Sequence, residues 1–373
     1  MILHLHHRYR TLGGEERAIA SLRDLTEERL VEPTTLLERD SAELSGARAA
    51  AGLLRGGLDP EQVADEVRRV GARIVHAHNL HPTFGVRALR AARAAGAAVV
   101  LQLHNYRLVC AVGTCVRDGH DCTLCHGRDV RPGLRHRCRG GLAEGAAYAA
   151  GIARQQPGLL AAADVVVVPS RAALERLRAL GIELPPERVH VLPHPVVPGP
   201  PIAPDPDGPA VVAGRLAAEK GTAVAIEAAR INGRSLVIAN DGPDEPALRA
   251  AAADLPQVRF AGRLDRAGLE RLRATAALEL VPSLAHETFG LAAAEAMLRG
   301  LPVVASDVGA LRELVPDDAR VPPGDPVALA AAWERLAGDA AAGARQRDAA
   351  ARLTDPAAIA DRLAAVYAAA LGG

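Results

Sequence analysis

Lysine is nearly absent from this chain: of 44 cationic side chains in 373 residues, only Lys220 is a lysine. Where both residues serve equally, arginine has taken the place, so the surviving ammonium marks a position that suits a compact charge on a flexible stem. Aromatic residues are also scarce, with one Trp, four Tyr and three Phe, so the core must be built from Ala, Val and Leu. That scarcity argues against base-stacking platforms for single-stranded nucleic acid. The formal net charge is +0 and the pI about 7.2, which argues against an overall basic nucleic-acid binder. No apolar run reaches the length needed to span a bilayer. The start, Met1 to Arg8, lacks a signal-peptide core and reads as a first strand, which leads to the expectation of a cytoplasmic protein, with peripheral membrane contact left open.

What is present is globular. The chain is 49% hydrophobic and 24% charged, and its length suits two domains. Short aliphatic runs alternate with longer Ala/Leu/Arg patterns of helical period, the mark of α/β layers. Strands are expected at Ile2–Leu5, Arg73–Ala77, Ala98–Leu103, Asp164–Val168 and Arg188–Leu192, then at Ala210–Ala213, Ser235–Ala239, Val258–Phe260, Leu278–Val281 and Pro302–Ala305. Ser170 stands where a helix N-cap belongs. Residues 193–209 hold eight prolines and can continue neither a helix nor a central strand. The expected organisation is therefore a first domain at 1–195, a Pro-rich linker at 196–209, a second domain at 210–354 and a terminal helix at 355–373 that crosses back to the first domain. Two Rossmann-like α/β domains would face a central cleft at the carboxyl ends of their sheets, where ligands bind in open α/β folds.

Three patterns carry chemistry. In Gly214-Arg215-Leu216-Ala217-Ala218-Glu219-Lys220-Gly221, two cations follow a strand end, suited to a phosphate group. In Glu287-Thr288-Phe289-Gly290-Leu291-Ala292-Ala293-Ala294-Glu295, a glycine turns the chain into a helix whose first N–H groups point outward. Glu287 is expected in the loop before the helix and Glu295 on its second turn; eight residues of helix rise about 12 Å, a span suited to two carboxylates gripping diols at either end of a diphosphate ligand. Each segment alone also fits a capped surface helix or a local ion pair. Third, all five cysteines fall between Cys110 and Cys138. Cys110, Cys115, Cys122 and Cys125, with Cys138 as a further candidate, suggest a structural zinc in a loop at 105–140. Buried thiols are the competing reading. The arginines of that loop suit an anionic acceptor or lipid headgroup as well as plain solvent.

In these motifs the chain resembles the GT-B glycosyltransferases of family 4. Gly214-Arg215-Leu216, Glu219-Lys220-Gly221, Asp241-Gly242-Pro243, Gly262-Arg263-Leu264, Pro282-Ser283, Glu287 to Glu295 and Gly300-Leu301-Pro302-Val303-Val304-Ala305 carry the likeness in order through the second domain. The resemblance implies a hexosyltransferase that uses a UDP-, GDP- or ADP-linked sugar and retains anomeric configuration without a metal cofactor. It implies that Arg215 and Lys220 hold the diphosphate, Glu295 the ribose and Glu287 the transferred sugar. Backbone N–H groups at Phe289, Gly290 and Leu291 would assist, and Arg263 and Leu264 would frame the base. In the first domain, Gly13-Gly14 resembles the family's glycine pair, and His104 stands where its histidine is expected, with His76 and His78 as rivals. The acceptor would be a small molecule, glycan or lipid. A sugar-nucleotide 2-epimerase of the same fold, or a non-enzymatic sugar-nucleotide binder, is the alternative.

Overall fold

In the computed structural model, which describes residues 1–9 and 13–372, the aliphatic runs become strands of two parallel sheets. The chain divides into two units. The first comprises Met1–Cys115, Cys122–Pro195 and the residues from Pro356 onward; the second comprises Val196–Asp355 together with the six residues Val116–Asp121.

Strands of the first half are β1 (Ile2–Arg8), β2 (Thr34–Asp40), β3 (Ile74–Ala77), β4 (Ala98–Gln102), the antiparallel pair β5 (Val116–Arg117) and β6 (His120–Asp121), then β7 (Val165–Val168) and β8 (Val189–Val191). The first unit's sheet runs β2-β1-β3-β4-β7-β8, parallel throughout. Its central strands are buried on both faces: all four valines of β7 are buried, while β1 and β3 also bury His4, His6, His7 and His76. One face packs on Val63, Val67, Phe84 and Leu89. The other packs on Leu22 and Leu25 of the helix Gly14–Arg29 and on Ile359, Leu363 and Val366 of the helix Pro356–Leu371. Each such side chain contributes roughly 1.5–3 kcal/mol when fully buried. The strand order reverses between β1 and β3, which makes that point the natural ligand crevice.

The second unit's strands are β9 (Ala210–Ala213), β10 (Leu236–Ala239), β11 (Val258–Gly262), β12 (Leu278–Val281), β13 (Val303–Ser306) and β14 (Arg320–Val321). They run β11-β10-β9-β12-β13-β14, all parallel. Here the order reverses between β9 and β12. The core is Ala, Val and Leu around the fully buried Trp333. The proline-rich stretch lies along this unit: the Ile202 N–H donates to the Arg299 carbonyl at 2.8 Å and that of Asp205 to the Ala276 carbonyl at 3.0 Å. Caps follow local chemistry, with Ser170 Oγ accepting from the Ala173 N–H at 3.0 Å and Asp325 capping Pro326–Leu336. Among the described residues, no helix is long and apolar enough to cross a membrane.

Candidate active site

Lys220 and Glu287 meet at the switch point of the second sheet. After β9 the chain forms a short 3-10 turn, Ala218–Lys220, and Gly221 closes it in the left-handed region at φ +65. A Cβ on Gly221 would lie 1.9 Å from the Pro282 carbonyl oxygen, so only glycine lets this turn sit on the end of β12. The Glu219 carbonyl accepts from the N–H groups of Leu284 and Ala285 at 2.9 and 3.2 Å, which pins the two loops together. Across that join, Lys220 Nζ donates to Glu287 Oε1 at 2.7 Å and Ser283 Oγ donates to the same oxygen at 2.5 Å. Burial works against the charge on Glu287, yet the Lys220 ammonium and these two bonds outweigh it and hold the carboxyl below its ordinary range. Arg215 emerges beside them and pairs with Glu219.

The other carboxylate is placed by a residue that the sequence reading missed. Arg273 is buried, donating to both oxygens of Glu279 at 2.7 and 3.0 Å and to Glu295 Oε2 at 3.1 Å. Burial opposes its charge, but Glu279 and then Glu295 more than offset that, and the guanidinium pKa is raised. Glu279 lies inside β12, where a lone charge in an apolar strand is the one signal that a buried partner exists. The helix after Gly290 begins at Leu291 and spans only Leu291–Leu298. Glu287 sits in the loop before the helix, and only the 12 Å span is corrected, because just the last four steps to Glu295 rise helically, about 6 Å. Gly290 is that helix's N-cap, at φ 96, with Phe289 buried before it. Arg263, after β11, grips Asp241, after β10, through two bonds of 2.9 and 3.0 Å, and Leu264 follows it.

In the first unit, His104 lies two residues past β4, and its neighbours are histidines. His104 Nε2 is 2.9 Å from His78 Nδ1, and His78 Nε2 is 2.9 Å from His4 Nδ1. The His104 ring also stacks on His194, 5.2 Å between centroids and 10° between planes. The two rivals thus stand behind His104: His78 is bonded to it, while His76 bonds the Tyr367 hydroxyl at 3.0 Å. Burial holds His4, His78 and His104 well below the ordinary imidazole value, and pushes His76 to about 3 and His194 to about 4. All are neutral near pH 7. Gly13 precedes the helix that starts at Gly14, and its N–H donates to Glu16 Oε2 at 2.8 Å. A Cβ on Gly13 would meet nothing closer than that oxygen, at 3.8 Å, so the protein's own packing does not demand glycine there.

Comparison with known proteins fits this geometry. Residues 3–195 match the family described as "Glycosyl transferase 4-like domain", and residues 209–339 match "Glycosyl transferases group 1". The chain belongs to the family 4 glycosyltransferases. Among solved structures, this family member is similar to sucrose-phosphate synthase from Thermosynechococcus elongatus, with 19% identity, 98% of each chain covered and a TM-score of 0.70. It is similar to Anabaena Alr3699/HepE in complex with UDP and glucose, again with 19% identity and 98% of each chain, at a TM-score of 0.66. Both likenesses establish the GT-B fold. Curated relatives match over shorter spans. The phosphatidyl-myo-inositol mannosyltransferase of Mycobacterium leprae is 40% identical over 97 residues, 25% of this chain and 26% of the relative. A GDP-mannose-dependent phosphatidylinositol dimannoside mannosyltransferase of Mycobacterium tuberculosis is 40% identical over 112 residues, 28% of this chain and 29% of the relative. The chain thus spans less than a third of the length of these curated relatives.

The five cysteines of this family 4 chain lie between β4 and the helix Leu142–Ala162. Among the described residues, the group of three or more metal-ligating side chains whose atoms all lie within 4.8 Å of one another is His4, His76 and His78, and no three of Cys110, Cys115, Cys122, Cys125 and Cys138 meet that condition. None of the five forms a disulfide. The physical reason is local: Cys115 and Cys122 flank the β5–β6 hairpin, joined by the Cys122 N–H donating to the Cys115 carbonyl at 2.8 Å, and Cys110 turns its sulfur to Cys115 and to the Gly113 N–H. The bond with Cys115 lowers the Cys110 thiol to about 5, while burial raises Cys125 to about 11. A tetrahedral zinc needs four thiolates converging on one point; Cys110, Cys122 and Cys138 each lie near enough to Cys125 to raise its thiol, without closing to that mutual distance.

Proposed function

We propose that this protein transfers a hexose from a nucleoside-diphosphate sugar to a hydroxyl-bearing acceptor, a small molecule, glycan or lipid, with retention of anomeric configuration and without a metal in the chemical step. The single observation that carries the reading is the Lys220–Glu287 contact of 2.7 Å at the reversal of strand order between β9 and β12. A lone lysine, a partly buried carboxylate and a helix start gather where an α/β sheet takes its ligand. Retention is an inference from family membership.

In this reading Lys220 and Arg215 neutralise the diphosphate as its bond to the sugar breaks, a charge-stabilising role that acts most strongly where water is excluded. Glu287 and Ser283 orient the Lys220 ammonium, and Glu287 accepts from sugar hydroxyls. Backbone N–H groups of Phe289, Gly290 and Leu291 meet anionic oxygen. Glu295, held by Arg273, accepts from the ribose diol, and Arg263 with Leu264 borders the base. The first unit supplies the acceptor side, with Gly13 and Gly14 letting backbone approach an anion and His104 bonding the sugar. Four of the curated relatives are GDP-mannose-dependent by name, which makes GDP-mannose the first donor to try.

The test is a thermal-shift panel of UDP-, GDP- and ADP-sugars, followed by turnover of whichever donor stabilises the chain. A bound donor raises stability by about 2.7 kcal/mol at a hundred times its Kd. Lys220→Ala should lower turnover by roughly two orders of magnitude or more in a chain that still folds, with some loss of stability because Glu287 loses its counter-ion. Near-normal turnover in that variant, or conversion of the donor to its epimer with no transfer, would sink the proposal.

A further inference from the structure

Among the described residues, six that are not glycine have positive φ. Val31, Asp59, Cys115, Asp118 and Arg137 lie between 44 and 53, in or beside the small left-handed region that L-residues can occupy. Asn240 is different: its φ of 126 falls where only glycine is comfortable. The chain cannot relax it from either side. Before it, the pairing of β10 with β11 slips between Ile238 and Ala239, so that Ala239 pairs with Gly262, and the Asn240 N–H donates to the Gly262 carbonyl at 2.8 Å. After it, the Asp241 carbonyl accepts from the Leu216 N–H at 2.9 Å, and the Asp244 N–H donates to the Leu216 carbonyl at 3.0 Å. A Cβ on Gly242 would lie 2.2 Å from that same carbonyl oxygen, so the loop is pressed onto Leu216. Such a backbone calls for glycine, and the chain uses glycine freely elsewhere. Strain of this kind is kept at ligand sites, where the surrounding structure holds it in place.

The register shows what Asn240 stands beside. β9 and β10 pair Ala213 with Ala239, so its neighbour on one side is Gly214, where a Cβ would meet nothing within 4 Å. On the other side stands Arg263, one residue past Gly262. Asn240 thus occupies the carboxyl edge of the sheet between the strand end read as the diphosphate site and the residues read as the border of the base. Its Oδ1 accepts from the Asp241 N–H at 2.9 Å. Only an oxygen can face that donor, so both hydrogens remain on Nδ2, which has no partner among the described residues and is not buried.

We propose that Asn240 is a specificity-determining residue for the donor nucleoside, its Nδ2 donating to a carbonyl oxygen or ring nitrogen on the edge of the base. This rests on the reading of the second sheet's edge as the nucleotide-sugar site. Asn240 takes no part in breaking the bond to the sugar; it selects among nucleoside diphosphates.

Calorimetric titration of the full chain with GDP, UDP and ADP needs neither an acceptor nor turnover. Asn240→Gly should raise the unliganded melting temperature by roughly a few degrees as the strain is released. The same variant should weaken the preferred nucleoside diphosphate about three- to tenfold, the loss of one neutral hydrogen bond, and the other two less, so that the preference narrows. Asn240→Asp keeps an oxygen against the Asp241 N–H and removes the donor. It should fold like the wild type and lose at least as much affinity for the preferred nucleotide. A melting temperature that falls in Asn240→Gly would mean that the asparagine serves the loop itself. Unchanged affinities would take it away from the nucleotide, and an equal loss for all three would place it on the diphosphate. Any of these results overturns the proposal while leaving the donor site in place. A wild-type chain that binds none of the three removes the donor reading itself, and this proposal with it.

Discussion

Arg273 shows what a single side chain can decide. Its guanidinium and the Glu279 carboxylate are both out of water, at 4% and 0% exposure, and they compensate each other. Arg273→Met leaves Glu279 charged in a strand with no counter-ion, which should cost about 3–5 kcal/mol in urea unfolding. Arg273→Met with Glu279→Met removes both charges and should recover most of that loss, because an apolar pair of similar volume fills the space. Equal stability of the single and double variants would show that the pair is not coupled. The double variant should still weaken donor binding, because Glu295 loses the bond that positions it.

Glycines at the end of β9 separate what the fold needs from what a ligand needs. Gly221→Ala forces a left-handed alanine against the Pro282 carbonyl, and its melting temperature should fall by several degrees, a penalty of about 1–3 kcal/mol. A Cβ on Gly214 would meet nothing within 4 Å, so Gly214→Ala should unfold like the wild type. If the diphosphate approaches the backbone there, that variant should lose its thermal shift with nucleoside diphosphates; an undiminished shift would move the phosphate elsewhere. The same elements show what the sequence made legible. Aliphatic runs such as Val165–Val168 and Ala210–Ala213 announced themselves, as did the loop residues that follow them. The edge strand Thr34–Asp40 did not, because it is partly exposed and ends in Glu38, Arg39 and Asp40, which read as loop. Helix Leu142–Ala162 holds Pro157, and helix Ala340–Thr354 lies in an Ala/Arg-rich stretch with little amphipathic pattern, so both escaped the reading. The histidines of β1 were legible as residues but not as a buried row, since polar residues in a first strand suggest a wet face. Only the register with β3 brings them together.

At the scale of the whole molecule, acid should part the two units. His4, His7, His76, His78, His81, His104 and His194 all have folded-state values lowered chiefly by burial, with His7 at about 3 and His81 at about 4, and all seven belong to the first unit. A depressed imidazole stabilises the fold fully above its unfolded value of 6.5, and that stability drains away as pH falls through the window toward the folded values. Each group contributes a slope of roughly 1.4 kcal/mol per pH unit there. Between pH 6.5 and 5 the first unit should therefore melt ahead of the second. The single tryptophan, Trp333, sits in the core of the second unit and reports on it alone. Circular dichroism should show two transitions at pH 5 while Trp333 fluorescence follows only the later one; one shared transition would refute the separation.

The helix Pro356–Leu371 belongs to the first unit although every strand of both sheets precedes it in the chain. During synthesis the first unit's sheet therefore emerges with one face covered only by the helix Gly14–Arg29, before Ile359, Leu363 and Val366 arrive. Until residues 356–371 arrive, His76 lacks the Tyr367 hydroxyl that it bonds at 3.0 Å. Maturation of the first unit is thus set by translation of the second, and a ribosome that stalls in between would leave a half-clad sheet for chaperones to guard.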